Sequence, residues 1–186
     1  MRFISKVLWL AIVLIVSKQS IAQDQIIPIA TSENALVLKV DKDKSLSVLY
    51  YGKKLSNVEE YRNVANMYRQ GDDYTQVANA AYTSSGSKNL LEPAITVTHA
   101  DGNNSLDLRY VSHEQKDKGN GVGELIVLLK DPAYNFQVKL FYRSYLKQDV
   151  IEQWAVISHK EKSDVTLHKY ASANLHLKAK EFWLTQ

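Results

Sequence analysis

The chain has 186 residues with 23 Lys and Arg against 20 Asp and Glu and no cysteine, which excludes a disulfide framework and any thiolate metal site and leaves stability to a buried core. Three of the basic residues, Arg2, Lys6 and Lys18, sit at the extreme amino end, and the rest of the chain balances 20 against 20. A formally neutral surface exerts no long-range pull on nucleic acid or anionic lipid, so those partners are excluded in favour of a neutral one.

Residues 1–22 read as a secretion signal. Arg2 and Lys6 precede an apolar run over residues 7–16, and the stretch closes on Ser20-Ile21-Ala22. Crossing a bilayer takes roughly 20 apolar residues, about twice this run, and small residues at the close are what signal peptidase requires. Cleavage is expected after Ala22, giving a periplasmic or secreted product with no membrane attachment. No cysteine is present to carry a lipid.

Residues 23–34 read as a short leader. Strand periodicity then sets in, over 35–40 and 45–51, with Asp41-Lys42-Asp43-Lys44 as a charged turn and Gly52 as a stop, which predicts an antiparallel hairpin. Over 58–70 the pattern breaks: Val58, Tyr61, Val64, Ala65 and Tyr68 fall at helical spacing before Gly71-Asp72-Asp73, giving a short helix or an irregular excursion. Residues 74–91 are small and polar and suit a long loop. Beyond Pro93, Ile95, Val97 and His99 alternate, then Leu106, Leu108 and Tyr110, with Asp101-Gly102-Asn103-Asn104 between them. Asp-Gly supplies the positive φ of a tight turn, so these two runs are expected to pair as a hairpin. Four more strands are expected over 123–130, 136–145, 150–159 and 165–177. Turn signals every 8–12 residues or so, without interleaved helices, predict an all-β fold, an antiparallel β-sandwich. The last residues, Glu181-Phe182-Trp183-Leu184-Thr185-Gln186, are apolar and end without turn, cap or polar tail. Because proteins normally cover an apolar edge strand, the expectation is a chain cut short.

Little in the sequence carries chemistry of its own. The histidines at 99, 113, 159, 168 and 176 include no close ligand pair, and His168 and His176 lie too far apart on one strand face for a single ion. Gly119-Asn120-Gly121-Val122-Gly123 precedes a strand and not a helix, so it is a turn and not a phosphate cradle. Ser84-Ser85-Gly86-Ser87 lacks nucleophile-elbow spacing. Asn103-Asn104-Ser105 matches a glycosylation sequon but sits where a turn is expected. Aromatic residues are the remaining hint: Tyr50, Tyr51, Tyr61, Tyr68, Tyr74 and Tyr82 lie in or near the irregular region, either as a sugar-stacking platform or as strand and core-edge residues. Trp154 shares parity with Val150, Glu152 and Val156, as an inter-sheet core residue or an interface ring.

Several segments, taken together, are more specific. Glu92-Pro93-Ala94-Ile95-Thr96-Val97-Thr98-His99-Ala100-Asp101-Gly102, continuing through Ser105-Leu106-Asp107-Leu108-Arg109-Tyr110-Val111-Ser112-His113, resembles the amino-terminal domain of glycoside hydrolase family 36. So do Leu129-Lys130-Asp131-Pro132, Asp149-Val150-Ile151 and Ala171-Ser172-Ala173-Asn174-Leu175, in the same order across 35–186. The resemblance implies a supersandwich of the galactose-mutarotase-like kind, followed in the family by a catalytic (β/α)8 barrel and a small β domain. It implies a parent α-galactosidase acting on α-galactoside oligosaccharides such as raffinose and melibiose, without a cofactor and as a homo-oligomer. Retaining hydrolysis uses two carboxyls about 5–5.5 Å apart; the family's two aspartates lie on the barrel and neither motif occurs here, so no catalytic residue is carried over. The loop that reads Gly-Asp-Phe-Arg in many bacterial members and walls an active site corresponds to Ser87-Lys88-Asn89-Leu90-Leu91, where Asn89 offers an amide to a sugar hydroxyl. The alternative reading is a free-standing carbohydrate-binding or structural β-sandwich domain.

Overall fold

The computed structural model describes residues 24–67, 79–86 and 92–174. A first sheet orders β1 (Gln25–Ala30), β2 (Asn34–Val40) and β3 (Leu46–Lys53) side by side, all antiparallel. The stretch read as a leader thus contributes β1, which pairs along the whole of β2. β2 is apolar almost throughout because both its faces are covered. Leu36, Leu38 and Val40 join the main core, while Ala35 and Val37 lie under Tyr61 on the opposite face.

Tyr61 comes from α1 (Val58–Met67), the single helix among the described residues. Asn57 starts that helix as a capping box: its side-chain oxygen accepts the Glu59 N–H at 3.0 Å, and the Glu60 carboxylate accepts the Asn57 N–H at 3.4 Å. The Tyr61 ring packs 5.1 Å from Tyr50 and its hydroxyl accepts the Leu55 N–H at 3.0 Å, fastening the helix to the sheet's outer face.

The fourth strand, β4 (Ile95–Thr98), corrects one expectation. The Asp101–Asn104 turn forms, with the His99 N–H bonded to the Asn103 carbonyl at 2.8 Å and Gly102 at φ +87°. The hairpin does not. β4 pairs with β9 (Thr166–Tyr170), and residues 105–108 run on without strand pairing, carrying Leu106 and Leu108 into the core. Alternation marks which side chains face inward; it carries no information about which strand lies alongside.

The second large sheet is a meander of β5 (Arg109–Asp117), β6 (Val122–Lys130), β7 (Phe136–Tyr145) and β8 (Val150–His159), each paired with its neighbour in sequence. The glycine-rich stretch closes the β5–β6 hairpin, with Gly119, Asn120 and Gly121 all at positive φ. One face of the meander, with Leu125, Val127, Leu129, Val138, Leu140 and Tyr142, packs against Ile27, Leu36, Leu38 and Leu46 of the first sheet. Burying each such aliphatic side chain stabilises the fold by about 1.5–3 kcal/mol. The result, among the described residues, is the expected antiparallel, mostly β architecture with one short helix.

One carboxylate brackets the two sheets. Asp149, in the β7–β8 turn at φ +55°, accepts hydrogen bonds from the Thr31 hydroxyl, the Asn34 amide at 2.5 Å and the Glu33 N–H at 3.1 Å, all in or beside the β1–β2 turn. The Ser32 hydroxyl returns a bond of 2.7 Å to the Leu146 carbonyl. The Thr31 hydroxyl foremost, then the Glu33 N–H, hold the Asp149 carboxyl below its ordinary value.

Candidate functional site

A cavity of about 570 Å³ opens where the β2–β3 turn, residues 80–84 and residues 107–109 converge. Local bonds bring these segments together. The Asp43 carboxylate accepts the Ser45 N–H at 3.1 Å and the Ser45 hydroxyl at 2.9 Å, shaping a turn in which Lys44 takes φ +65°. The Lys44 carbonyl then accepts the Tyr110 N–H at 2.8 Å, and the Leu46 carbonyl accepts the Ala81 N–H at 3.0 Å.

The cavity floor is apolar: Leu46, Ala80, Tyr82 and Leu108 are all buried. The rim is charged. Arg109 donates through Nε to Asp107 at 2.8 Å and through Nη1 to Asp43 at 3.2 Å and to the Ser45 hydroxyl at 3.0 Å. Lys39 sits 2.7 Å from Asp41 and 3.9 Å from Asp24. The hydrogen bond that Arg109 donates to Asp107 is the main reason its guanidinium is held above its usual value. Burial pushes the Asp43 carboxyl up, but Ser45 and Arg109 outweigh it and keep the group below its ordinary value. Asp43 is therefore an ionised acceptor at neutral pH and not a proton donor. The Tyr82 hydroxyl donates to the Ala171 carbonyl at 2.9 Å, and burial pushes it up to about 12, so it is no base either.

A second polar cluster surrounds a buried imidazole. His99, 2% exposed, meets Glu161 through Nδ1 at 2.8 Å and the Ser105 carbonyl through Nε2 at 3.1 Å, and its ring stacks on Tyr134 at 3.6 Å. Glu161 also accepts the Ala100 N–H at 3.0 Å, and Tyr134 donates to Asp101 at 2.9 Å. Burial acts to raise the Glu161 carboxyl, yet the Ala100 N–H and His99 bring it below its ordinary value. The buried His99 and the partly exposed Glu161 tie the β4–β5 and β8–β9 connections together. In the sequence Glu161 falls between the strands expected over 150–159 and 165–177 with nothing to mark it, and only the alternation of His99 with Ile95 and Val97 hinted at a buried imidazole.

Among the described residues, those singled out in the sequence do not gather in one place. Asn89, Tyr68, Tyr74, His176 and the segment 175–186 lie outside the described residues, as do residues 1–23. Tyr61 and Tyr82 are buried, Tyr50 donates to the Lys53 carbonyl at 2.7 Å, and Tyr51 is 54% exposed, so these four form no common platform. Trp154 lies on the outer face of the meander, stacked 4.9 Å from Phe141 and beneath the Arg143 guanidinium, itself paired with Glu124. His113 bonds Tyr110 and His168 bonds Thr98, each at 2.7 Å. Asn103 and Asn104 both serve the turn, accepting from Ser105 and Thr98. Among the described residues no group of three His, Cys, Asp or Glu is placed to hold a metal ion.

Residues 44–186 match the glycosyl hydrolase family 36 N-terminal domain. The chain belongs to that family. Solved structures agree on the fold. The α-galactosidase from Lactobacillus brevis superposes with a TM-score of 0.68 at 21% identity, over 82% of this chain and 24% of that one. The family 36 α-galactosidase AgaA from Geobacillus stearothermophilus gives 0.68 at 20% identity, over 81% and 24%. The galactosidase domain of the α-galactosidase–sucrose kinase AgaSK gives 0.67 at 23% identity, over 81% and 24%. This family 36 domain therefore spans about a quarter of the length of each of these structures. No curated protein matches the chain.

Proposed function

We propose that this chain is the amino-terminal, non-catalytic domain of an exported α-galactosidase, whose hydrolysis of terminal α-galactosides is carried out by a separate barrel. The family match over residues 44–186 carries this reading, supported by the likeness to three α-galactosidases, each over about a quarter of its length. The carboxylates in hand are consistent with it. Asp43, Glu92, Asp101, Glu124, Asp149 and Glu161 all sit below the ordinary carboxylate value, whereas a glycosidase acid needs its proton held to higher pH. In the parent the domain supports the barrel, Asn89 contributes an amide to sugar recognition, and the enzyme assembles as a homo-oligomer. Export rests on the charged, apolar and small-residue order of residues 1–22.

The purified chain is expected to release no nitrophenol from p-nitrophenyl α-galactoside; turnover that survives controls for contaminating enzyme contradicts the proposal. An open frame beyond codon 186 that encodes a barrel with two suitable aspartates supports it, and a stop codon there favours the free-standing domain. For export, the intact mass of periplasmic protein should correspond to a chain beginning at Gln23.

A further inference from the structure

We propose that the cleft between the β2–β3 turn and residues 107–109 is a binding site for a neutral saccharide. A sugar ring would lie with its C–H face on Leu46, Tyr82 and Leu108 and its hydroxyls on Asp41, Asp107 and Arg109. This goes beyond the domain's place in a larger enzyme and stands on the cleft alone.

Three observations lead to that ligand class. The volume, about 570 Å³, falls within the range of about 300–1,000 Å³ usual for small-molecule sites. The lining is amphipathic, with apolar side chains below and charged groups around the edge, and a sugar presents the same two surfaces, C–H groups on its ring face and hydroxyls at its perimeter. The edge carries Asp24, Asp41, Asp43 and Asp107 against Lys39, Lys42 and Arg109, which is too nearly balanced to select an anion. A metal ion is disfavoured as well, since no group of three suitable ligands is assembled among the described residues.

The edge groups are also held in place before any ligand arrives. Arg109 is fixed by Asp107 and Asp43, and Lys39 by Asp41, so binding costs little side-chain ordering. Arg109 occupies Oδ2 of Asp107 and Lys39 occupies Oδ1 of Asp41, while the other oxygen of each carboxylate has no partner among the described residues. Ionised carboxylate oxygens beside a guanidinium offer paired acceptors and donors, matching the adjacent hydroxyls of a sugar through charge-assisted hydrogen bonds.

The test is saturation-transfer NMR and titration calorimetry on the recombinant chain with galactose, raffinose and stachyose, comparing wild type with Asp41→Ala, Arg109→Met and, on the outer face of the meander, Trp154→Ala. At least one sugar is expected to bind, with affinity falling about tenfold in each edge variant, the loss expected when a hydrogen bond to a charged group is removed. Trp154→Ala should bind like wild type. Circular dichroism verifies folding; if Arg109→Met unfolds, Asp41→Ala decides, because among the described residues that carboxylate is paired with Lys39. The proposal is overturned if no sugar transfers saturation at tens of millimolar, if folded edge variants bind unchanged, or if Trp154→Ala abolishes binding. None of these outcomes bears on the nitrophenol assay or the downstream reading frame.

Discussion

Thr83 ties three segments together with one hydroxyl. Its oxygen accepts from the Ala94 N–H and the Asn174 amide, each at 2.7 Å, and donates to the Glu92 carbonyl at 3.3 Å, all at 1% exposure. Thr83→Val keeps the shape and removes these bonds; the Ala94 N–H retains the Thr83 carbonyl at 2.9 Å, while the Asn174 amide and the Glu92 carbonyl lose the hydroxyl, which should cost about 1–3 kcal/mol, read as a lower urea midpoint at unchanged slope. Gly86 makes a different demand. A Cβ there would lie 2.5 Å from the Leu106 nitrogen and 2.5 Å from the Ser105 hydroxyl, so the chain crossing closes only over a hydrogen atom. Gly86→Ala forces backbone to move and should lower stability by about 1–3 kcal/mol in thermal unfolding. The sequence showed Ser84-Ser85-Gly86-Ser87 only as a polar loop. The crossing depends on a segment some twenty positions onward, which local composition does not encode. The same holds for Arg109: its place in a strand was legible, but its pairing with Asp43 arises where the β2–β3 turn meets the first residue of β5, far along the chain.

At the level of elements, strands β6 and β7 were legible because each alternates between a buried and an open face, and β8, which has no fully buried residue, because recognisable turns bound it. β1 was missed because its six residues, Gln25–Ala30, include Pro28 and adjoin the signal-like segment, so they read as a connector. The β4–β9 pairing could not be read at all, since long-range partners leave no local mark. Helix α1 was legible from spacing, and its start is fixed by Asn57. Asn57→Ala removes the cap and should destabilise the protein by about 0.5–2 kcal/mol. The expected readout is a lower thermal midpoint by far-UV circular dichroism, while Asn57→Asp should retain most of the wild-type value because an aspartate caps the same N–H.

For the whole molecule, the depressed carboxylates predict an acid limb in stability. Asp43 and Asp149 lie below their reference of 3.8, and Glu124 and Glu161 below 4.5. A carboxyl with a folded value lower than its unfolded one stabilises the native state fully above the unfolded value, and that contribution is lost as pH falls through the folded one. The thermal midpoint should therefore vary little on account of these groups from neutrality to about pH 5 and then decline steadily toward pH 3. A midpoint unchanged at pH 3 contradicts this, and Asp149→Asn should shallow the acid decline. The order of strand pairing also sets the order of events in folding. The meander closes through successive short hairpins, whereas joining β4 to β9 requires Ile95 to meet Tyr170 across the whole of it. Loop-closure entropy makes that encounter late, so pulse-labelled amide exchange should find β6 and β7 protected while Thr96 and Leu167 still exchange with solvent.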